Sequence, residues 1–203
     1  MRKGRPVPRV RRHRQQPGDA TGTDEHLVAL AQRGDREAFG KLYDRYVPGV
    51  YSYGYRLLGT REAAEDVTTE VFLRALAALP TYQTGSFRSW LFAIAHNRVA
   101  DELRQRHPTE PLSAGLFVLD PGPSPDEVAA VAADRHTVLG LLPQLSWDQQ
   151  EVVAMRLSGL SAVEIGEALG KPRNAVDGIH HRALLRLRAL VATGEATTTK
   201  GRG

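Results

Sequence analysis

The stretch "LSAVEIGEALGKPRNAVDGIHHRALLRLR", residues 160–188, has the pattern of two short helices joined at Gly170. Glycine tolerates the positive φ that such a turn needs, and Gly166 is small enough for the two helices to touch there. Apolar residues at helical spacing would lock the pair together: Ile165, Leu169, Val176 and Ile179. The stretch therefore predicts a helix-turn-helix, with a plain helical hairpin as the alternative.

The second helix of this pair has a polar face that could enter a major groove. At about 100° per residue, the side opposite the apolar lock carries Arg173, Asn174, Asp177, His181 and Arg188, with Gly178 and Arg182 beside them. Arg and Asn suit phosphates and base edges. Asp177 is the exception, because a carboxylate repels phosphate and is useful mainly as an acceptor for a cytosine amino group. A mainly structural helix with weak DNA affinity is the alternative.

Residues 24–106 predict a separate bundle of four helices. Two glycines, Gly34 and Gly59, signal the end of a helix, and each is followed by a residue that can cap the next one, Asp35 and Thr60. Ser86 can cap the fourth helix. Pro48 and Gly54 argue against an unbroken second helix, since both weaken helix interiors. Four helices of this length would form one bundle of about 80 residues.

The remaining segments differ in composition from these domains. Residues 1–23 hold seven basic residues and one acidic residue, whereas the rest of the chain holds 20 basic and 22 acidic residues. We expect 1–23 to be a disordered basic arm, 107–136 an acidic linker rich in Pro and Gly, and 193–203 a disordered tail. The second domain then spans 137–192. Ala and Leu dominate, so the expected fold class is all-α, with two small helical domains and a flexible linker.

Several classes of protein are excluded by what the chain lacks. It has no cysteine, and no apolar run approaches the length of a membrane span. We therefore expect a cytoplasmic protein without membrane insertion. His180 and His181 are adjacent and cannot share a metal on one helix face, and no glycine loop of the phosphate-binding type is present. We expect no enzymatic activity, metal or cofactor.

The predicted fourth helix, "SFRSWLFAIAHNRVADELRQR" at residues 86–106, carries aromatic residues beside Arg and Asn. This combination suits single-stranded DNA, where an unstacked base can lie on a ring and hydrogen-bond to an amide. The alternative is that Phe87 and Trp90 belong to the core and that His96 is an ordinary surface side chain.

Three motifs in this order resemble one known family. They are "AEDVTTEVFLRALAAL" (64–79), "SFRSWLFAIAHNRVADELR" (86–104) and the helix-turn-helix. Together they resemble a bacterial RNA polymerase sigma factor of the extracytoplasmic-function (ECF) group of the sigma-70 family, over residues 24–192. The resemblance implies a transcription initiation factor with a promoter-melting region 2 (24–106) and a −35-binding region 4 (137–192). It also implies three partners: core RNA polymerase, promoter DNA and an anti-sigma factor.

The resemblance also implies roles for individual residues. The surface for the polymerase β′ clamp helices would comprise Asp66, Thr69, Glu70, Phe72 and Leu76, and region 4 would meet the β flap. The −10 contacts would be Arg88, Trp90, His96, Asn97 and Arg98, with Asn97 capturing a flipped non-template base. The −35 contacts would be Arg173, Asn174, Asp177, Gly178, His181 and Arg182.

Some positions depart from the family pattern. Thr69 replaces a common Gln, and Asp177 and Gly178 stand where Lys or Arg followed by Ser is usual. The second departure predicts a different −35 sequence. The alternative function is an autonomous helix-turn-helix regulator whose first domain senses a ligand or partner.

Overall fold

The computed structural model describes residues 22–83, 85–106 and 140–199, and every regular element in these ranges is helical. The all-α prediction is therefore confirmed for the described part of the chain. Nearly all of the predicted arm (residues 1–21) and the whole predicted linker lie outside the described residues. Within the described ranges, no helix is both long and apolar enough to cross a membrane.

Seven α-helices and two 3-10 turns make up the described structure. The first domain contains α1 (Asp24–Ala31), α2 (Arg36–Leu58), α3 (Arg61–Ala78), a 3-10 turn (Leu79–Thr81) and α4 (Phe87–Arg106). The second domain contains a 3-10 turn (Leu142–Gln144), α5 (Trp147–Leu157), α6 (Ala162–Leu169) and α7 (Arg173–Thr199).

The predicted capping residues begin several of these helices. The Asp35 carboxylate accepts from the backbone N–H groups of Glu37 and Ala38 at 2.9 and 3.1 Å, which satisfies two donors that α2 leaves unpaired. Ser161 and Glu164 bond each other's backbone N–H at the start of α6. The helix boundaries are therefore set largely by local side-chain hydrogen bonds.

Helix α2 continues through Pro48 and Gly54, so the expectation of a broken helix is wrong. Its inward face buries Tyr46, Val50, Tyr53 and Leu57, and this burial outweighs the lost proline hydrogen bond. Gly54 serves packing, because a Cβ there would lie 3.7 Å from the Cα of Ala64 on α3. The small residue lets α2 and α3 approach closely.

Helix α7 extends further than predicted. It runs to Thr199, past residue 192, where the second domain was predicted to end.

The helix-turn-helix prediction is confirmed in its packing. Ile165, Val176 and Ile179 are buried, and Gly170 turns the chain with φ 63°. Gly166 sits where α6 meets the start of α7, and a Cβ on it would lie 2.5 Å from the carbonyl oxygen of Lys171. Close contact at Gly166 therefore fixes the angle between the two helices.

The two domains pack directly on each other, which the sequence did not predict. Helix α6 lies against α4, and α5 lies against α2. Buried residues of both domains, including Phe92 and Met155, belong to one continuous apolar cluster. The DNA-reading motif is thus held against the helix that carries the predicted −10 contacts.

We predict that Gly166→Ala destabilises the protein by about 1–3 kcal/mol, because the added methyl must displace the Lys171 carbonyl. Gly40→Ala is the matched control, since a Cβ at Gly40 in helix α2 meets nothing within 4 Å. The control should be slightly stabilised by its better helix propensity. Thermal unfolding followed by circular dichroism measures both, and equal melting temperatures would contradict the packing role of Gly166.

Candidate nucleic-acid interface

The outer face of α7 carries the predicted −35 contacts. Val176, Ile179, Ala183 and Leu187 are buried on its inner side. Opposite them, Arg173, Asn174, Asp177, His181 and Arg182 are exposed, and Gly178 is half-buried. All six predicted residues therefore lie on or beside one accessible helix face, as a helix entering a major groove requires.

The carboxylate of Asp177 does not stand alone on this face. It lies 3.5 Å from Nε of Arg173 and 3.8 Å from Nη2 of Arg156. Paired in this way, its charge opposes DNA phosphates less than an isolated carboxylate would. Gly178 has a separate effect: a Cβ there would lie 3.4 Å from Nη1 of Arg182. The absence of a side chain leaves room for the Arg182 guanidinium along the helix.

The two adjacent histidines of α7 have different surroundings. His181 is exposed, whereas His180 is half-buried. Burial, followed by the nearby charge of Arg156, lowers the pKa of His180. Of the two, His181 is the one fully exposed beside the predicted −35 residues.

A cleft opens where the 79–86 segment leads into α4. It has a volume of about 430 Å³ and is lined by Thr81, Tyr82, Gln83, Gly85, Ser86, Ser89, Trp90, Ala93 and Glu167. Aromatic rings form one wall, with the Trp90 ring centroid 5.0 Å from that of Tyr82 and 5.5 Å from that of Phe87. The aromatic cluster and the cleft together resemble a stacking site for a base.

Ser89 supplies a polar atom beside this cleft. Its side chain is buried, and no described group hydrogen-bonds to its Oγ. A buried hydroxyl without a partner is uncommon in folded proteins, and Ser89 lies in the wall of the cleft. Sequence reasoning missed Ser89 and Tyr82; the signal available was the polar "PTYQTGS" segment directly before the aromatic-rich helix.

The predicted −10 residues of α4 occupy different environments. Asn97 is exposed, while Arg88, Trp90 and His96 are half-buried. Trp90 belongs to the aromatic cluster, so it is both a packing residue and a wall of the cleft. Arg88 and His96 instead contact the second domain: Arg88 Nη1 donates to the carbonyl of Gly159 at 3.1 Å, and His96 Nδ1 lies 2.5 Å from the Glu151 carboxylate.

Arg98, another predicted −10 contact, is paired with carboxylates of the first domain. Its side chain is only 11% exposed and pairs with Glu70 on α3 and with Glu102 on α4. The hydrogen bond from Arg98, with help from Arg74, holds the pKa of Glu70 below its usual value. Arg98 thus orients Glu70 on the neighbouring helix, and its role at the −10 element stays a prediction.

The predicted polymerase-binding residues lie along α3, with one exception. Asp66 and Thr69 are exposed, Glu70 is half-buried and Leu76 is 49% exposed. Phe72 is only 5% exposed, and its ring centroid lies 4.7 Å from that of Tyr43. Its ring thus packs against Tyr43, and its role as a direct polymerase contact stays a prediction.

Leu73 is the residue that the sequence prediction missed on this surface. It is 62% exposed, the largest exposure among the large apolar residues of the described structure. At about 100° per residue, Leu73 falls between Asp66 and Leu76 on the helix face, whereas Phe72 falls at its edge. Helical spacing alone could have found it. Leu73 and Leu76 are exposed on this face of α3, and Tyr43, whose ring packs on Phe72, is exposed as well. Exposed apolar residues of this kind suit a partner protein.

Within the described ranges, no three His, Cys, Asp or Glu side chains come together as a metal site would. The described residues offer three surfaces. The outer face of α7 and the cleft at α4 suit DNA, and the exposed face of α3 suits a protein.

Comparison with known proteins identifies the two domains. The family model of sigma-70 region 2 matches residues 42–109, and that of sigma-70 region 4 matches residues 135–187. The chain is 36% identical over 189 residues to the ECF RNA polymerase sigma factor ShbA of Streptomyces griseus. The aligned region covers 88% of this chain and 92% of ShbA.

Two further similarities agree with this result. The ECF sigma factor BldN of Streptomyces coelicolor is 36% identical over 170 residues, covering 81% of this chain and 64% of BldN, so the chain spans less than two thirds of that relative. The structure of CnrH in complex with the cytosolic domain of CnrY aligns with a TM-score of 0.67 at 26% identity, covering 84% of this chain and 97% of the CnrH chain. The chain thus belongs to the sigma-70 family of transcription initiation factors and, within it, to the ECF sigma factors.

Proposed function

We propose that this chain binds core RNA polymerase, directs it to promoters by reading −10 and −35 elements, and helps to melt the DNA at the −10 element. One observation carries the proposal: a single chain holds an exposed polar helix face on α7 and a cleft of about 430 Å³ beside aromatic rings at α4. The polymerase performs the chemistry, and the chain supplies specificity. It would act in the cytoplasm, where polymerase and promoter meet.

At the −10 element, melting exposes bases that can leave the stack. The cleft beside Trp90 offers aromatic surface for such a base, and Ser89 offers a hydroxyl. Asn97 is exposed two turns further along α4 and can donate to and accept from a base edge. These groups would stabilise the separated strand and so favour melting.

At the −35 element, α7 would enter the major groove of intact duplex. Arg173, His181 and Arg182 can contact phosphates or guanine, and Asn174 can contact adenine. Asp177 adds an acceptor that suits a cytosine amino group, which supports a −35 sequence different from that of relatives with a cation there.

The polymerase would be held through both domains. The apolar patch of Tyr43, Leu73 and Leu76, flanked by the carboxylates of Asp66 and Glu70, suits the β′ clamp helices. In the second domain, Leu184 and Leu185 are exposed on α7 away from its buried side, and they suit an apolar contact with the β flap.

An anti-sigma factor would compete for these surfaces. CnrH, a structural relative of this chain, was solved in complex with the cytosolic domain of CnrY. The exposed leucines on α3 and α7 give such a partner apolar contacts on both domains. Masking them would keep the chain from core polymerase.

We predict that the isolated chain binds promoter DNA weakly and that holoenzyme binds it strongly. Outside residues 1–23, basic residues number 20 and acidic residues 22, so release of counterions contributes little to free binding. Tethering both readers to polymerase raises their effective concentration. Gel-shift titrations with and without core polymerase test this. Tight, specific binding by the free chain would instead indicate an autonomous regulator.

We predict that Asn97→Ala lowers run-off transcription about tenfold on a promoter selected by the holoenzyme from random DNA, because one pair of base contacts is lost. Binding to core polymerase should not change. Gln105→Ala, an exposed substitution on the same helix, is the matched control and should transcribe at the wild-type rate. If both variants transcribe equally, Asn97 does not read the promoter.

We predict that Leu73→Asp weakens association with core polymerase at least about tenfold, since it places a charge in the centre of an apolar contact. Leu73 is exposed, so the fold should be retained. Leu73→Met, which keeps the apolar volume, serves as the control. Fluorescence anisotropy of labelled chain titrated with core polymerase gives both affinities, and unchanged binding by Leu73→Asp would remove α3 from the interface.

A further inference from the structure

Glu70 lies at the centre of the proposed polymerase-binding face of α3. Asp66 precedes it by four residues and Leu73 follows it by three, and residues at these spacings share one side of a helix. The Glu70 side chain is 38% exposed, so part of its carboxylate is open to a partner protein. The direction in which this carboxylate points therefore matters for any contact that the face makes.

Two arginines hold the Glu70 carboxylate, one at each oxygen. Arg74, on the same helix, donates from Nη2 to Oε1 at 2.6 Å. Arg98, on α4, donates from Nε to Oε2. A glutamate side chain without such bonds samples several rotamers, and ordering it on binding costs free energy. Glu70 is ordered before any partner arrives.

Of the two arginines, Arg98 is the firmer support. Arg74 is 47% exposed, and an exposed pair within one helix is weakened by water and salt. Arg98 is only 11% exposed and reaches Glu70 from the neighbouring helix. The orientation of Glu70 relative to α4 is therefore set by Arg98.

Arg98 is in turn fixed by Glu102 on its own helix. Its Nη2 donates to Oε2 of Glu102 at 2.7 Å, and the other carboxylate oxygen accepts from Nε of Arg106 at 3.0 Å. Burial acts to raise the pKa of Glu102, but the hydrogen bonds from Arg98 and Arg106 bring it below its usual value. A line of alternating charges thus runs from α3 along α4.

The position of Arg98 uses a property that only arginine has. Two nitrogens of one planar group bond two different carboxylates, which a lysine ammonium cannot do with the same fixed geometry. The third nitrogen, Nη1, is buried and has no hydrogen-bond partner among the described residues. A buried donor without a partner costs stability, and costs of this kind gather at functional positions.

We infer that Arg98 is a positioning residue for polymerase binding, which holds the Glu70 carboxylate in the orientation that α3 presents to core polymerase. This inference rests on the proposed function. It gives α4 a part in polymerase binding without a direct contact, because Arg98 acts through Glu70. The order that Arg98 imposes on Glu70 removes a cost that binding would otherwise carry.

A double-mutant cycle tests whether Arg98 acts through Glu70. Fluorescence anisotropy gives the affinity for core polymerase of wild type, Arg98→Gln, Glu70→Ala and the double variant. Arg98→Gln should weaken binding about threefold, the cost of ordering one long side chain. Glu70→Ala should weaken it about tenfold. The double variant should bind about as well as Glu70→Ala alone, because Arg98 has nothing left to position.

Two further variants separate positioning from charge and from stability. Arg106→Gln is the matched control, since it removes a cation of the same line on the same helix but leaves the Arg98–Glu70 bond in place. It should bind core polymerase as wild type does. Arg98→Lys keeps the charge and loses the planar fork, so it should lose affinity as Arg98→Gln does, and it repeats the cycle should Arg98→Gln melt below the assay temperature.

The inference is overturned by wild-type affinity in Arg98→Gln and Arg98→Lys, or by an equal loss in Arg106→Gln. A double variant about thirtyfold weaker than wild type, the product of two independent losses, also overturns it. Wild-type affinity in Glu70→Ala would remove the inference and leave the proposed function standing. Failure of the wild-type chain itself to bind core polymerase would overturn the proposed function.

Discussion

Helix α4 is packed on two sides, and most of the structure depends on that constraint. One side contacts α2 and α3 of its own domain, and another contacts α6 of the second domain. The end of α4 nearest the 79–86 segment carries the aromatic cluster and the cleft. A single helix therefore serves as a core element and as the surface on which the second domain docks, and it also carries the proposed −10 contacts.

Some charged residues among the proposed DNA contacts are paired with opposite charges. Arg98, which lies on the DNA-reading helix, is neutralised by Glu70 and Glu102, and Asp177 lies close to two arginines on the −35 face. In the proposed function, specificity arises because polymerase holds both readers near one promoter.

The sequence predicted what local physics determines. Gly166, Gly170 and the apolar lock around them defined the helix-turn-helix, and Asp35 and Ser161 marked helix starts. It wrongly predicted a break in α2. Pro48 weakens the helix locally, but burial of the helix against its neighbours keeps it continuous. It did not single out Leu73, and it could not show that Phe72 packs against Tyr43 or that Arg98 pairs with Glu70, because these partners are far apart in the sequence. The packing of the two domains on each other could not be predicted, since it depends on contacts between residues far apart in the chain.

The central claim is that one chain reads two separate DNA elements for polymerase. The most direct measurement is transcription by core polymerase from a random DNA library, with and without the chain, followed by sequencing of the templates that yield RNA. The account predicts chain-dependent transcripts whose templates share two blocks of selected sequence at a fixed spacing upstream of the start. A single selected block, or transcripts no more abundant than with core polymerase alone, would contradict it.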